Sequence, residues 1–120
     1  MITEADLSQF TGSETVFKHW LGTFFYTQGI KYLVDAAASG WLIDAIASYQ
    51  TRTLFLQHPE LKEFQLWQLE VNEDKTATLS CRADSDCDPV VVQNIEFTDF
   101  PLQHIKLYLC QKVLMLPSEY

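Results

Sequence analysis

Two side chains that could do chemistry lie one helical turn apart in an otherwise apolar segment. Asp44 and Ser48 lie within residues 41–49, and all the remaining residues of this segment are apolar. Residues four apart share one face of a helix. A carboxylate buried there has a raised pKa and could serve as a general base. The polar stripe continues to Thr51 and Arg52, so a solvated edge or a structural ion pair is the competing interpretation.

A pocket around Asp44 and Ser48 would make the chain a small enzyme or a ligand-binding domain. Four further side chains would complete such a pocket: Trp41, Tyr49, Gln50 and His104. The three histidines show no metal-ligand spacing, and no glycine-rich phosphate loop is present. The sequence therefore predicts no metal and no cofactor, and it favours a protein that is not an enzyme.

The three cysteines leave two interpretations open. Cys81 and Cys87 flank a loop between two predicted strands, so a redox-sensitive disulfide between them competes with two free thiols. Including Cys110, the count is odd, which is typical of reduced cysteines in a cytoplasmic protein. The charges near the loop are mostly acidic and would raise a thiol pKa, so no cysteine nucleophile is predicted.

Size and charge limit the classes of protein to consider. The chain has 120 residues and a formal net charge of −8, with 48% hydrophobic and 13% aromatic residues. This length predicts a single domain over residues 1–120. The acidic balance would repel phosphate backbones, so direct nucleic-acid binding is not expected. No stretch has the length and apolarity of a membrane span, and residues 1–10 lack the basic start of a signal peptide, so we expect a cytoplasmic protein.

The elements that must position these residues follow from hydrophobic periodicity. Thr3 with Asp6 predicts a short capped helix, and residues 16–26 predict one short strand or a buried extended segment. Residues 29–39 and 41–51 have helical period, and the left-handed cap between them is assigned to Gly40.

Period-two alternation begins after Pro59. It predicts strands at residues 64–71, 76–81 and 90–97, followed by one bent strand or two short ones between residues 105 and 116. We therefore expect a two-layer α+β fold, in which an N-terminal helical hairpin packs on an antiparallel β-meander of four to five strands.

Several stretches of the sequence resemble one known family. They are FTGSE (10–14), YTQGIKYL (26–33), WLIDAIASYQ (41–50), FQLWQLEV (64–71), TATLSC (76–81), IEFTDFPL (95–102) and LMLPSEY (114–120). The resemblance is to an uncharacterised family of small bacterial proteins, frequent in cyanobacteria and on mobile elements, that carries a domain of unknown function. It implies a single intracellular domain and supplies no catalytic residues.

The function expected from these observations is that of an interaction or accessory protein. High aromatic content, an acidic surface and the missing catalytic motif favour contacts with a protein partner, or self-association as a homodimer. The alternative stays the pocket around Asp44 and Ser48.

Overall fold

The computed structural model of the chain describes residues 3–9 and 16–120. Within these ranges the α-helices are α1 (Glu4–Ser8), α2 (Gln28–Ala37), α3 (Gly40–Ser48) and α4 (Arg52–Gln57). The strands are β1 (Val16–Lys18), β2 (Phe25–Thr27), β3 (Phe64–Val71), β4 (Ala77–Arg82), β5 (Val91–Ile95), β6 (His104–Cys110) and β7 (Val113–Met115). Short 3-10 turns occupy Pro59–Lys62 and Pro117–Glu119. The predicted α+β class is confirmed.

All seven of these strands join one mixed sheet in the order β1-β2-β7-β6-β3-β4-β5. Neighbouring strands are antiparallel except β2 and β7, which run parallel with Phe25 opposite Val113 and Tyr26 opposite Leu114. The predicted antiparallel meander of four to five strands is therefore wrong in strand number and in direction. The β3–β4 hairpin and the antiparallel β5 are where the sequence predicts them, and β6 and β7 are two strands instead of one bent strand.

The additional strands come from residues 16–27, which form the hairpin β1–β2 in front of the helices. Its turn closes through a hydrogen bond from the Gly22 amide to the His19 carbonyl, and Gly22 has a φ of 75° that suits a residue without a Cβ. The helical hairpin is thus preceded by strands. Strands of three residues are too short for a period-two pattern, so the sequence did not separate them.

The two faces of the sheet differ in burial because side chains alternate along each strand. On one face the central side chains, including Trp67, Leu69, Leu107 and Leu114, are almost completely buried. The other face is partly or fully exposed in β3 to β7, apart from Leu66. We refer to this second face as the open sheet face.

Helices α2 and α3 form the predicted tight hairpin, but Gly40 is not its left-handed residue. Ala38 takes that conformation, with φ 50° and ψ 43°, and Gly40 is the first residue of α3. The buried Ser39 hydroxyl donates to the Leu33 carbonyl at 3.1 Å. The left-handed residue therefore lies two positions earlier than expected, at Ala38.

Threonine caps begin three of the helices. Thr3 and Asp6 form the predicted capping box of α1, with bonds of 2.9 and 3.2 Å. Thr27 accepts from the Ile30 amide at the start of α2, and Thr51 accepts from the Leu54 amide at the start of α4. Helix α4 is not predicted from the sequence because it is too short to show a helical period.

A polar network sits inside the core between the helices and the sheet. The amides of Gln50, after α3, and Gln65, on β3, donate to each other at 2.9 and 2.7 Å. Their remaining N–H groups donate to the carbonyls of Ile46 and Leu61, and the indole of Trp67 donates to Gln65. Every N–H donor of this Gln50–Gln65 pair is therefore used. Buried polar groups need such partners, and Gln65 is only 1% exposed.

The start of α2 is closed by a carboxylate from far along the chain. Glu119 accepts from the Thr27 hydroxyl at 2.6 Å, from the Leu116 amide at 3.0 Å and, more weakly, from the Gly29 amide at 3.4 Å. A carboxylate is favoured at a helix N-terminus by the helix dipole. A Cβ on Gly29 would lie 2.7 Å from the Glu119 Cδ and 2.8 Å from the Leu116 Cδ1.

We expect Gly29→Ala to lower the free energy of unfolding by about 1–3 kcal/mol, because the Glu119 carboxylate must leave its donors. Urea denaturation followed by circular dichroism measures this difference. Gly40→Ala is the matched control, since its Cβ meets only Val34 at 3.9 Å. The control should leave stability unchanged or raise it by up to about 1 kcal/mol. Equal destabilisation by both variants would contradict the close-packing argument.

Candidate functional site

Asp44 lies on the exposed side of α3, with 49% of its side chain accessible. Its Oδ1 accepts from the Trp20 indole at 2.9 Å and pairs with the His19 Nε2 at 2.8 Å. The hydrogen bond from Trp20, and then those with His19, hold the Asp44 pKa below its ordinary value of 3.8. The buried, high-pKa alternative is therefore wrong, and Asp44 loses the physical basis for acting as a general base.

The imidazole of His19 has both nitrogens engaged. The Leu21 amide donates to Nδ1 at 3.1 Å, so Nε2 carries the proton that is donated to Asp44. The ring is 5% exposed and packs against Phe24 and Trp20 at centroid distances of 5.2 and 5.6 Å. No ring nitrogen remains to accept a proton from a substrate. We refer to Asp44, His19 and Trp20 as the loop latch, because they tie the β1–β2 turn to α3.

The other side chains of the predicted pocket point to separate places. Ser48 donates its hydroxyl to the Ala45 carbonyl at 2.6 Å on the exposed side of α3. Tyr49 donates to Gln93 on β5 at 2.7 Å and packs on the Trp67 ring. Gln50 belongs to the core network. The proposed constellation around Asp44 and Ser48 is thus not assembled by the fold.

His104 begins β6 and lines a different cavity, of about 260 Å³, beside α1. The apolar lining comes from Leu7, Leu102, Ile105, Leu116 and Pro117, and the polar lining from Ser8, His104, Lys106 and Ser118. Neither Asp44 nor Ser48 reaches this cavity. Within residues 3–9 and 16–120, no three His, Cys, Asp or Glu side chains gather closely enough to hold a metal ion.

The cysteines are free thiols in three different environments. Cys81 is buried under the helices, Cys87 is exposed in the loop after β4, and Cys110 is half-buried at the end of β6. Burial raises the pKa of the Cys81 thiol to about 12. The chain therefore adopts the free-thiol alternative, and Cys81 is not a nucleophile at neutral pH.

The open sheet face carries aromatic side chains that contact one another. Phe64 and Tyr108, on neighbouring strands, have ring centroids 5.4 Å apart. Tyr120 lies against both at 5.7 and 5.1 Å in edge-to-face geometry, and it is 71% exposed. Tyr and Phe that are packed by their neighbours and still exposed are typical of protein interfaces.

Charge on the open sheet face is opposite to that of the protein as a whole. Strand alternation places Lys18, Arg82 and Lys106 on this face, with Glu70 as the acidic strand residue. These are three of the eight basic and one of the sixteen acidic residues of the chain. Arg82 bonds the Cys87 carbonyl at 3.3 Å, while its Nε is buried without a hydrogen-bond partner among the described residues. The strand residues of this face are therefore basic and aromatic on an acidic protein.

The whole chain, residues 1–120, matches the model of a family described as Family of unknown function (DUF6876). The chain belongs to this family. No curated protein and no solved structure matches it. The resemblance to a domain of unknown function is thus confirmed for DUF6876, while the expected bacterial origin stays a prediction.

Sequence reasoning missed the partners of Asp44 and the whole open sheet face. His19 and Trp20 are 25 and 24 residues away from Asp44, and no local pattern links them. The signal for the open face was present in the alternation of Phe64, Leu66 and Gln68 with the buried Gln65 and Trp67.

No helix in the described part of the chain has the length and apolar character needed to span a bilayer.

The loop latch predicts a change in solvent exchange at Trp20. Asp44→Ala should speed exchange of the Trp20 indole proton by about tenfold, because its acceptor is gone. Asp35→Ala, which removes an exposed carboxylate from the neighbouring helix α2, should leave that rate unchanged. Exchange-sensitive NMR of the indole resonance measures both. If the two variants behave alike, the hydrogen bond does not hold Trp20.

Acid should open the loop latch in a defined direction. Because the Asp44 pKa is lowered in the folded chain, the latch contributes stability above pH 3.8 and loses it as the pH falls through the lower folded value. The Trp20 indole shift should therefore show a step below pH 3.8. The same titration of Asp44→Asn should lack this step, and a step of equal size in that variant would contradict the assignment.

The three thiols should differ in reactivity. Iodoacetamide at neutral pH should modify Cys87 first and leave Cys81 unmodified in the folded protein, because Cys81 is buried and protonated. Peptide mass spectrometry after timed quenching gives the order of modification. In urea all three thiols should react at similar rates. Early labelling of Cys81 in the folded protein would overturn its placement.

Proposed function

We propose that this member of DUF6876 is a non-enzymatic accessory protein that binds an acidic, apolar segment of a protein partner on its open sheet face. The observation that carries the proposal is the basic and aromatic character of that face on a chain of net charge −8. Complementary charge speeds association and selects partners, while exposed aromatic side chains supply most of the binding free energy.

Several contacts support this choice of partner. Lys106 lies opposite Gln68, and Arg82 lies opposite Leu66, which in turn lies opposite Tyr108. Cationic groups therefore border an apolar centre, the arrangement in which a carboxylate and a neighbouring apolar side chain of one peptide are bound together. A partner carboxylate that displaced the Cys87 carbonyl would also supply an acceptor to the guanidinium of Arg82.

Two other occupants of the open sheet face are less favourable. A symmetric dimer formed through this face would bring the basic residues of two copies together, and like charges in contact oppose association. Nucleic acid would meet the field of a protein with net charge −8, and a dense polyanion experiences that repulsion more strongly than a short acidic peptide. The acidic protein segment is the occupant that satisfies both constraints.

The same proposal places the protein in the cytoplasm, which its odd cysteine count favours.

The experiment uses isotope-labelled protein and three short probes. One is a peptide of alternating acidic and apolar residues, the second replaces its acidic residues by lysine, and the third is single-stranded oligo-dT. The acidic peptide should shift amide signals of β3, β4 and β6, and the lysine peptide should not. Stronger binding of oligo-dT, or shifts confined to the helices, would overturn the proposal.

A charge-reversal pair tests the surface itself. Lys106→Glu should weaken binding of the acidic peptide by roughly tenfold or more, because it replaces attraction by repulsion at the open sheet face. Arg52→Glu makes the same change in net charge on α4, in the helical layer, and should alter affinity by no more than about twofold. Equal losses in both variants would show that only the net charge matters.

A further inference from the structure

A second cleft lies at the other side of the sheet, between the helical layer and the β1–β2 turn. Its volume is about 380 Å³, within the range of small-molecule sites. The walls come from elements distant in sequence: Gly22 and Thr23 from the turn, Phe55 from α4, Leu61 and Lys62 from the 3-10 turn, and Lys112 from the β6–β7 turn. The cleft is separate from the open sheet face and from the cavity at His104.

Hydrogen bonds hold the floor of the cleft in place. Gln50, Gln65 and Leu109 form it, and both glutamines are held in the fully bonded core network. The turn that makes one wall is fixed by the loop latch, because Trp20 and His19 lie two and three residues before Gly22 and both bond Asp44. The walls and floor are therefore preorganised without a ligand, which lowers the entropy that binding must overcome.

The polar groups of the cleft favour a negative charge. Lys62 and Lys112 are its charged lining residues, and neither forms an ion pair within the described ranges. The Thr23 hydroxyl is buried there and has no hydrogen-bond partner among the described residues. Two ammonium groups without ion-pair partners in the described ranges, beside a neutral floor, are the donors that a carboxylate or phosphate requires.

A two-residue turn places Lys112 in the lining of the cleft. Gln111 and Lys112 join β6 to β7 with φ values of 49° and 67°, the signs that a type I′ turn requires.

We infer that this cleft binds a small organic anion, with the carboxylate or phosphate group between Lys62 and Lys112 and the apolar body against Phe55, Leu61 and Leu109. Leu61 and Leu109 are buried and Phe55 is half-buried in the lining, so the ligand must have a short hydrocarbon or aromatic body. The site does not depend on the proposed function of the open sheet face, because the two share no lining residue.

The probes are four molecules with one six-carbon body and different head groups: hexanoate, hexyl phosphate, hexanol and hexylamine. We expect one of the two anions to bind at least about tenfold more tightly than hexanol, and hexylamine to bind most weakly. Amide shifts at Thr23, Gln50 and Lys112 locate the site by NMR. Equal affinity for the anions and the alcohol, absence of binding by all four, or shifts at Leu102 and His104 instead, would overturn the inference.

Matched variants separate the head-group contacts from the folding of the cleft. Lys62→Met and Lys112→Met keep the length of the side chain and remove its charge, and each should weaken binding of the anion by about fivefold to tenfold. Lys75→Met, in the turn between β3 and β4 at the opposite end of the sheet, should leave affinity unchanged. Hexanol affinity should be the same in all variants. Loss of hexanol binding as well, or an equal loss in Lys75→Met, would overturn the assignment of the two lysines.

Discussion

The amide pair of half-buried Gln50 and buried Gln65 is the constraint on which the arrangement of helices and sheet depends. Polar groups removed from water must be paired, and an amide left without its partner costs about 1–3 kcal/mol. Sliding α3 along β3 by one residue would break the mutual bonds of 2.9 and 2.7 Å and leave Trp67 without its acceptor. Apolar contacts alone tolerate such slips, whereas this pair admits a single register.

Much of the fold can be predicted from the sequence because the signals for it are local. The β3–β4 hairpin follows from alternation over eight and six residues, and the capping box of α1 follows from Thr3 and Asp6. The parallel pairing of β2 and β7 cannot be predicted in this way, because Phe25 and Val113 are far apart in the sequence and each strand has three residues. Tertiary packing decides how short strands pair when they are far apart in the chain. A single sequence has no periodic pattern that reveals such packing.

The candidate sites were harder to predict than the fold, for a related reason. Asp44 attracts attention as an acid in an apolar helix, but its meaning depends on whether solvent reaches it and on Trp20 and His19, which the fold brings from the preceding turn. Gln50 was included in a pocket and does line a cleft, yet with Gln65 and Lys112 in place of Asp44. The type of a residue thus indicates which reactions its side chain could take part in. Its neighbours in the folded chain determine which role it has.

Strand order also sets the order in which this chain can fold during synthesis. β7 stands between β2 and β6 in the sheet but follows all the other strands described in the chain. Until β7 has emerged from the ribosome, the early hairpin β1–β2 has no strand to join, and the N-terminus of α2 lacks Glu119, 92 residues beyond Thr27. The block of β3, β4, β5 and β6 can pair beforehand. The nascent chain therefore holds its aromatic β1–β2 hairpin outside the sheet until β7 has been synthesised, an interval in which chaperones would recognise it.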